Sequence, residues 1–212
     1  MKGKFKMMIR TTLFSTAAAL LVSGAAHAEI LNGGFTDGAD HWNLFGGHGL
    51  FDYSADGFEG IEGNGLAAWG AYDGAGYSGA AQDINGTWNA GDTIEFGADW
   101  YVPNPDPLHG DNHGFIALNF FGADGGWWFN VVSPLIDHAP GTSGSHSLSY
   151  TLDEGAAGAA RIEFVMIFRQ PENHGGPSGA VIYDNAFANI VPTPGALALL
   201  GIAGLGMRRR RA

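Results

Sequence analysis

Thr93–Val102, TIEFGADWYV, alternates side chains of opposite character over ten positions. In a β-strand successive side chains point to opposite faces. Ile94, Phe96, Ala98, Trp100 and Val102 therefore share one face, and Thr93, Glu95, Asp99 and Tyr101 the other. A helix, with its period of 3.6, would scatter the same apolar set around its axis. The stretch reads as a strand with one buried face.

The pattern recurs on both sides of it. In Ser147–Leu152, SLSYTL, Leu148, Tyr150 and Leu152 face inward while Ser147, Ser149 and Thr151 face out. Arg161–Arg169, RIEFVMIFR, is apolar on both faces over its second half, as expected of a central strand covered on both sides. Further strands are expected at 42–45, 50–53, 66–69, 77–84, 114–121, 127–132 and 180–190. Glycine and proline recur between them too often for a sustained helix. Short, regularly spaced strands of this kind predict an all-β fold, a jelly-roll β-sandwich of two antiparallel sheets. No repeat of solenoid or propeller period is visible.

Charge narrows the function. All 21 acidic residues lie between positions 29 and 190, against two bases, Arg161 and Arg169, which leaves that segment at −19 without a single lysine. Nucleic acid is bound through Lys and Arg, and anionic membranes attract the same residues, so neither is an expected partner. Such a balance suits solubility and cations with oxygen ligands; a solvated acidic face accounts for it equally well. The chain has no cysteine, which excludes disulfides, thiol catalysis and thiolate metal sites.

Two short motifs bracket the expected sandwich. Leu31-Asn32-Gly33-Gly34-Phe35, followed by Trp42, resembles the opening of galactose-binding-like jelly rolls, a group that includes many carbohydrate-binding modules. Val181-Ile182-Tyr183-Asp184-Asn185 is similar to their closing strand. The resemblance implies a carbohydrate-binding role and one structural calcium ion. It carries Asn32 and Asp184 over as calcium ligands; Thr36 stands where the family has Glu, so a third ligand is either missing or moved to Asp37.

If successive strands run antiparallel, every second loop lies at one end of the sandwich. Loops 103–113, 133–146 and 170–179 should then meet, together with the turn 71–76. They carry His109, His113, His138, His146 and His174, with Asp106, Asp111, Asp137 and Glu172 among them. Imidazole with carboxylate is a ligand set for a transition metal such as zinc, copper or iron, and His109, His113 and His174 are the expected trio. Polar loops also tolerate histidine without any metal.

Aromatic residues offer stacking surfaces for a sugar ring. Tyr72 and Tyr77 flank the turn AYDGAG, and Trp127 and Trp128 are adjacent in a strand, so one should be core and the other exposed. Tyr72, Tyr77 and Trp128 are the expected ligand contacts, whereas Trp100 faces inward. No G-x-S-x-G, H-E-x-x-H or P-loop spacing occurs. Glu95, Asp99 and Glu163 are the acids a glycoside hydrolase would draw on, but the expected protein is not an enzyme.

The two ends read as addresses. Lys2, Lys4, Lys6 and Arg10 precede an apolar run near Leu13–Val22, and Ala26-His27-Ala28 supplies a small-x-small cleavage pattern before Glu29. Residues 1–28 thus form a secretory signal helix, and 29–190 the exported domain. At the other end, Val191, Pro192, Thr193 and Pro194 lead into the uncharged run Gly195–Met207 and then Arg208, Arg209, Arg210 and Arg211. As a helix that run would reach about 20 Å, short of the ~30 Å hydrocarbon core.

The tail, 191–212, resembles the PEP-CTERM sorting signal of Gram-negative bacteria, with Thr193 in place of the namesake Glu. The resemblance implies an exosortase-type processing protease and a transient inner-membrane anchor. Its destination would be the cell surface or an extracellular matrix. The expected role is adhesion to extracellular polysaccharide; a purely structural matrix protein is the alternative, and a hydrolase the third.

Overall fold

The computed structural model describes residues 29–193, apart from 57, 59–60, 62, 71–74, 138 and 173–178. The signal segment, with Ala26 and Ala28, and the tail from Pro194 through Arg208–Arg211 lie outside the described residues.

Every expected strand forms. In chain order they are β1 (Asn43–Phe45), β2 (Gly47–Asp52), β3 (Asn64–Trp69), β4 (Gly76–Asp83), β5 (Thr93–Tyr101), β6 (His113–Phe121), β7 (Trp127–Val132), β8 (Ser143–Thr151), β9 (Arg161–Gln170) and β10 (Ala180–Val191). They pair antiparallel in two five-stranded sheets, β1-β4-β9-β6-β7 and β2-β3-β10-β5-β8. The fold is the jelly-roll sandwich. One element was not expected, a single helical turn α1 (Glu154–Ala157), started by Asp153, whose Oδ1 accepts the Ala156 N–H at 2.7 Å.

The core lies between the sheets. Ile94, Phe96, Ala98, Trp100 and Val102 are buried, as alternation requires, and meet Phe120, Phe164, Phe168 and Tyr183. Phe164 sits edge-on to both Trp42 (6.3 Å) and Phe96 (6.4 Å). Between β4 and β9 the backbones approach so closely that a Cβ on Gly79, at φ +150°, would run into the Met166 carbonyl.

Tyr101 departs from the simple alternation. It belongs to the outward face of β5, yet it is buried, because Tyr53, Phe58 and Ile61 lie across that face. Phe58 stacks on it at 4.3 Å, with Tyr53 and Ile61 alongside. The outer face of the second sheet is thus partly roofed.

The opening motif is a clasp. Asn32 donates its amide Nδ2 to the Gly38 and Asp40 carbonyls, and its Oδ1 accepts the Asp37 N–H at 3.1 Å and the Thr36 hydroxyl. Its own carbonyl accepts the Trp42 indole N–H at 3.0 Å. Phe35 is fully buried against Trp42. Gly33 abuts the backbone of Ala186, whose N–H it accepts at 3.0 Å, where a Cβ would collide.

The strand-parity expectation for the loops holds where it is described. Gly141 N–H donates to the Val102 carbonyl at 2.8 Å, Ala180 N–H to that of Asp106 at 3.1 Å, and Ile136 bonds reciprocally with Gly114. The loops after β5 and β7 and the start of β10 therefore share one end.

Phe164→Ala should lower the unfolding free energy by about 3–5 kcal/mol, the range for emptying a buried aromatic site. Ser147→Ala, on the exposed face of β8, should shift it by less than about 0.5 kcal/mol. Urea unfolding of both variants measures the contrast; equal effects would mean that the inter-sheet packing is not what holds the fold.

Candidate ligand-binding face

Even-numbered positions of β9 point into the core, so Arg161, Glu163, Val165, Ile167 and Arg169 point outward from the centre of the first sheet. Register lines them up with their neighbours in rows. Ala81, Val165, Ala117 and Val132 form one row across β4, β9, β6 and β7. Gly79, Ile167 and Phe115 form the next, and Tyr77, Arg169 and His113 the one after. On the other side lie Asp83, Glu163, Asn119 and Asn130, then Arg161, Phe121 and Trp127.

Side-chain size along these rows shapes the surface. Ala81, Val165 and Ala117 are short and buried although they face outward, because Phe45, Phe115 and Ile167 rise around them. The result is a shallow apolar trough whose exposed floor is Phe45 and Ile167, with a polar bank on either side. On one bank Asn119 Nδ2 donates to Glu163 Oε2 at 3.2 Å, and Arg161 Nη1 bridges Glu163 and Asp83 at 3.1 Å each. The Arg161 guanidinium lies 3.7 Å from the Phe121 ring centre. A hollow of about 310 Å³ opens beside Asp83, Arg161 and Glu163.

On the opposite bank Tyr77 is 55% exposed, with the Arg169 guanidinium 5.8 Å from its ring, within cation–π reach. His113 stands next to Arg169 in register and bonds the Asp111 carbonyl through Nδ1 at 2.8 Å. A second hollow, about 340 Å³, is lined there by Asp111, His113, Asp137 and Arg169. Both arginines of the −19 segment thus project from this one face, eight residues apart on one strand. An even spacing within a strand was the signal for this, and sequence reasoning missed it.

Of the expected histidine trio, His109 and His113 bracket one turn. His109 is half-buried, and its carbonyl accepts the Asn112 N–H at 3.1 Å, closing the turn before β6. His113 opens β6, and His174 and His138 lie outside the described residues. His146 is a correction: β8 begins at Ser143, four residues earlier than expected, so His146 faces the core side opposite Ala98, 6.0 Å from the Trp100 ring. It does not join the loop cluster. Among the described residues no three His, Asp or Glu side chains are arranged to hold a metal ion.

The calcium trio is partly brought together. Asp184 is buried on β10 and its Oδ1 accepts the Asn185 N–H at 2.7 Å, close to where a Cβ on Gly34 of the opening loop would stand. Asp37 is exposed, and Asn32 spends its amide on the loop's own backbone.

Of the stacking candidates, Tyr77 is on the trough face, Tyr72 lies outside the described residues and Trp128 is on the edge strand β7. The expectation that one of Trp127 and Trp128 is core is corrected: both are exposed, at 58% and 45%. An edge strand has no neighbour beyond it, and a register shift between Phe120 and Phe121 turns Trp127 outward opposite Phe121. Glu95 and Asp99 face out from the second sheet, where Asp99 accepts the Asn185 amide at 2.9 Å.

No protein-family model matches the chain, and no curated protein does. Solved structures do. The C-terminal family 22 carbohydrate-binding module of Clostridium thermocellum Xyn10B superposes with a TM-score of 0.53 at 13% identity, over 78% of this chain and 96% of that one. The tandem CBM22-1-CBM22-2 domain of Paenibacillus barcinonensis Xyn10C gives 0.53 at 10% identity, over 81% of this chain and 48% of that one. The enzymatically active domain of bacteriophage CBA120 tailspike protein 4 gives 0.54 at 12% identity, over 76% of this chain but only 21% of that one. The chain has the jelly-roll fold of carbohydrate-binding modules. At these identities the likeness is one of fold.

Proposed function

We propose that the trough on the first sheet binds a polysaccharide strand, without catalysis, in a protein exported and sorted to the cell surface or extracellular matrix. The observation that carries the reading is the apolar floor offered by the half-buried Phe45 and Ile167, between banks holding Tyr77 with Arg169 and Glu163 with Asn119. A sugar ring presents an apolar C–H face and a rim of hydroxyls. The floor and Tyr77 accept the first, and a few directed carboxylate, amide and guanidinium groups accept the second. In the Xyn10B module, which shares the fold, amino acids of the cleft have a role in ligand binding.

A hydrolase needs one carboxyl to donate a proton while another stays ionised. Here a single guanidinium ties Asp83 and Glu163 together, which favours a binding role over a catalytic one. The neighbouring tailspike domain is enzymatically active, but this chain spans about a fifth of it.

The full chain should be retained in affinity gels containing a neutral β-glycan such as xylan or mixed-linkage β-glucan. Tyr77→Ala with Arg169→Gln should weaken that retention about tenfold or more, the loss of a stack and a charged hydrogen bond, at unchanged melting temperature. No retention on any glycan would leave the purely structural matrix role, and released sugar would make the protein a hydrolase.

The PEP-CTERM-like tail supports the address, with an exosortase-type protease as processing partner and the inner membrane as a transient one. Replacing Arg208–Arg211 by Ser should leave export intact and change membrane retention or the mature mass, because the basic stop is gone; an unaltered matrix-bound fraction and mass would count against it. A structural calcium ion at Asp184 belongs to the same reading. Excess calcium should raise the melting temperature by linkage, and Asp184→Ala should abolish the rise; an equal rise in the variant assigns it to general screening of the acidic surface.

A further inference from the structure

We infer that the open edge of the sandwich between β7 and β8 is a second, independent site for a neutral sugar ring, walled by Trp128 and Tyr150 and hydrogen-bonded by Asp153. β7 ends one sheet and β8 ends the other, so their outer sides face no further strand among the described residues. A hollow of about 520 Å³ opens there, lined by Trp128, Phe129, Tyr150, Asp153, Gly155 and Ala156. It shares no residue with the trough.

The wall is preorganised. Phe129 stacks on the buried Phe120 at 4.4 Å and 8°, and Tyr150 meets Phe120 edge-on at 5.6 Å, so both rings are braced by the core. The Trp128 indole lies over Gly122, where any Cβ would collide with it. It is nonetheless 45% exposed, an uncovered aromatic surface held in place.

Polar groups with work still to do point to the ligand class. Asp153 uses Oδ1 to cap α1, while Oδ2 makes no hydrogen bond among the described residues, and neither does the Tyr150 hydroxyl. Burial, and then the Asp153 charge, push the Tyr150 phenol up, so it stays a donor. A purely apolar ligand would strip water from both groups and return nothing. An anionic one would meet a carboxylate with no cation in the lining, on a domain of −19. A neutral pyranose satisfies all of it, with its C–H face on Trp128 and a hydroxyl donating to Asp153. Two sites on separate surfaces would let one chain bridge two polysaccharide strands.

Calorimetry of the full chain with xylohexaose, cellohexaose and laminarihexaose tests this. At least one of them should bind with two equivalents, of which Trp128→Ala removes one. Tyr150→Phe, which keeps the braced ring, should weaken that same equivalent about tenfold, the worth of one hydrogen bond. Tyr77→Ala should touch only the other equivalent, so loss of the trough reading and loss of this one are told apart. Heats with all three sugars that Trp128→Ala leaves unchanged, or no heat at all, would overturn the edge site. So would sedimentation showing a dimer that Trp128→Ala dissociates, since a second copy would then fill the hollow.

Discussion

Two apolar sheet faces interlocked without a single disulfide hold this chain together. Phe96, Phe120, Phe164 and Phe168 mesh with Tyr183 and the aliphatic side chains between them. Each aromatic removes a large area from water, and that burial is what offsets the entropy of ordering ten strands. Most charged side chains are displaced by it to the surface. With one face of every strand committed to the core, chemistry is confined to outer faces, loop ends and edges.

The two outer faces differ in what covers them. Across the second sheet Tyr53, Phe58 and Ile61 lie on Tyr101 and Ile182, making a small satellite core. Across the first sheet no separate segment does so among the described residues; the sheet's own Phe45, Phe115 and Ile167 close over Ala81 and Ala117 and leave a shallow depression. Both arginines of an otherwise uniformly acidic domain flank that depression, each beside an aromatic ring. Arg161 is half-exposed and shared by two carboxylates, so its ion pairs contribute little stability. Their effect is to set the polar edge of the trough, by holding Glu163 and Asp83 in fixed positions.

The opening motif, legible in the sequence, has a structural role. Asn32, Gly33 and Phe35 make a clasp that plugs the sandwich and docks on the irregular step of β10 at Asp184–Phe187. Such a motif marks a fold because it solves a closure problem that every jelly roll of this kind shares. It says little about ligands, and the residues that shape the trough carry no motif at all.

Local pattern therefore determined the ten strands, their inward faces and the end at which alternate loops gather, since period-two alternation and chain reversal are properties of short stretches. Tertiary structure alone decided which strands are neighbours. That choice put Arg161 and Arg169 beside Tyr77 and Phe121, turned His146 inward against Trp100, and left both Trp127 and Trp128 exposed on an edge. These outcomes depend on sheet order, on a bulge and on a covering segment. Each is set by packing between residues far apart in sequence, which no short stretch encodes.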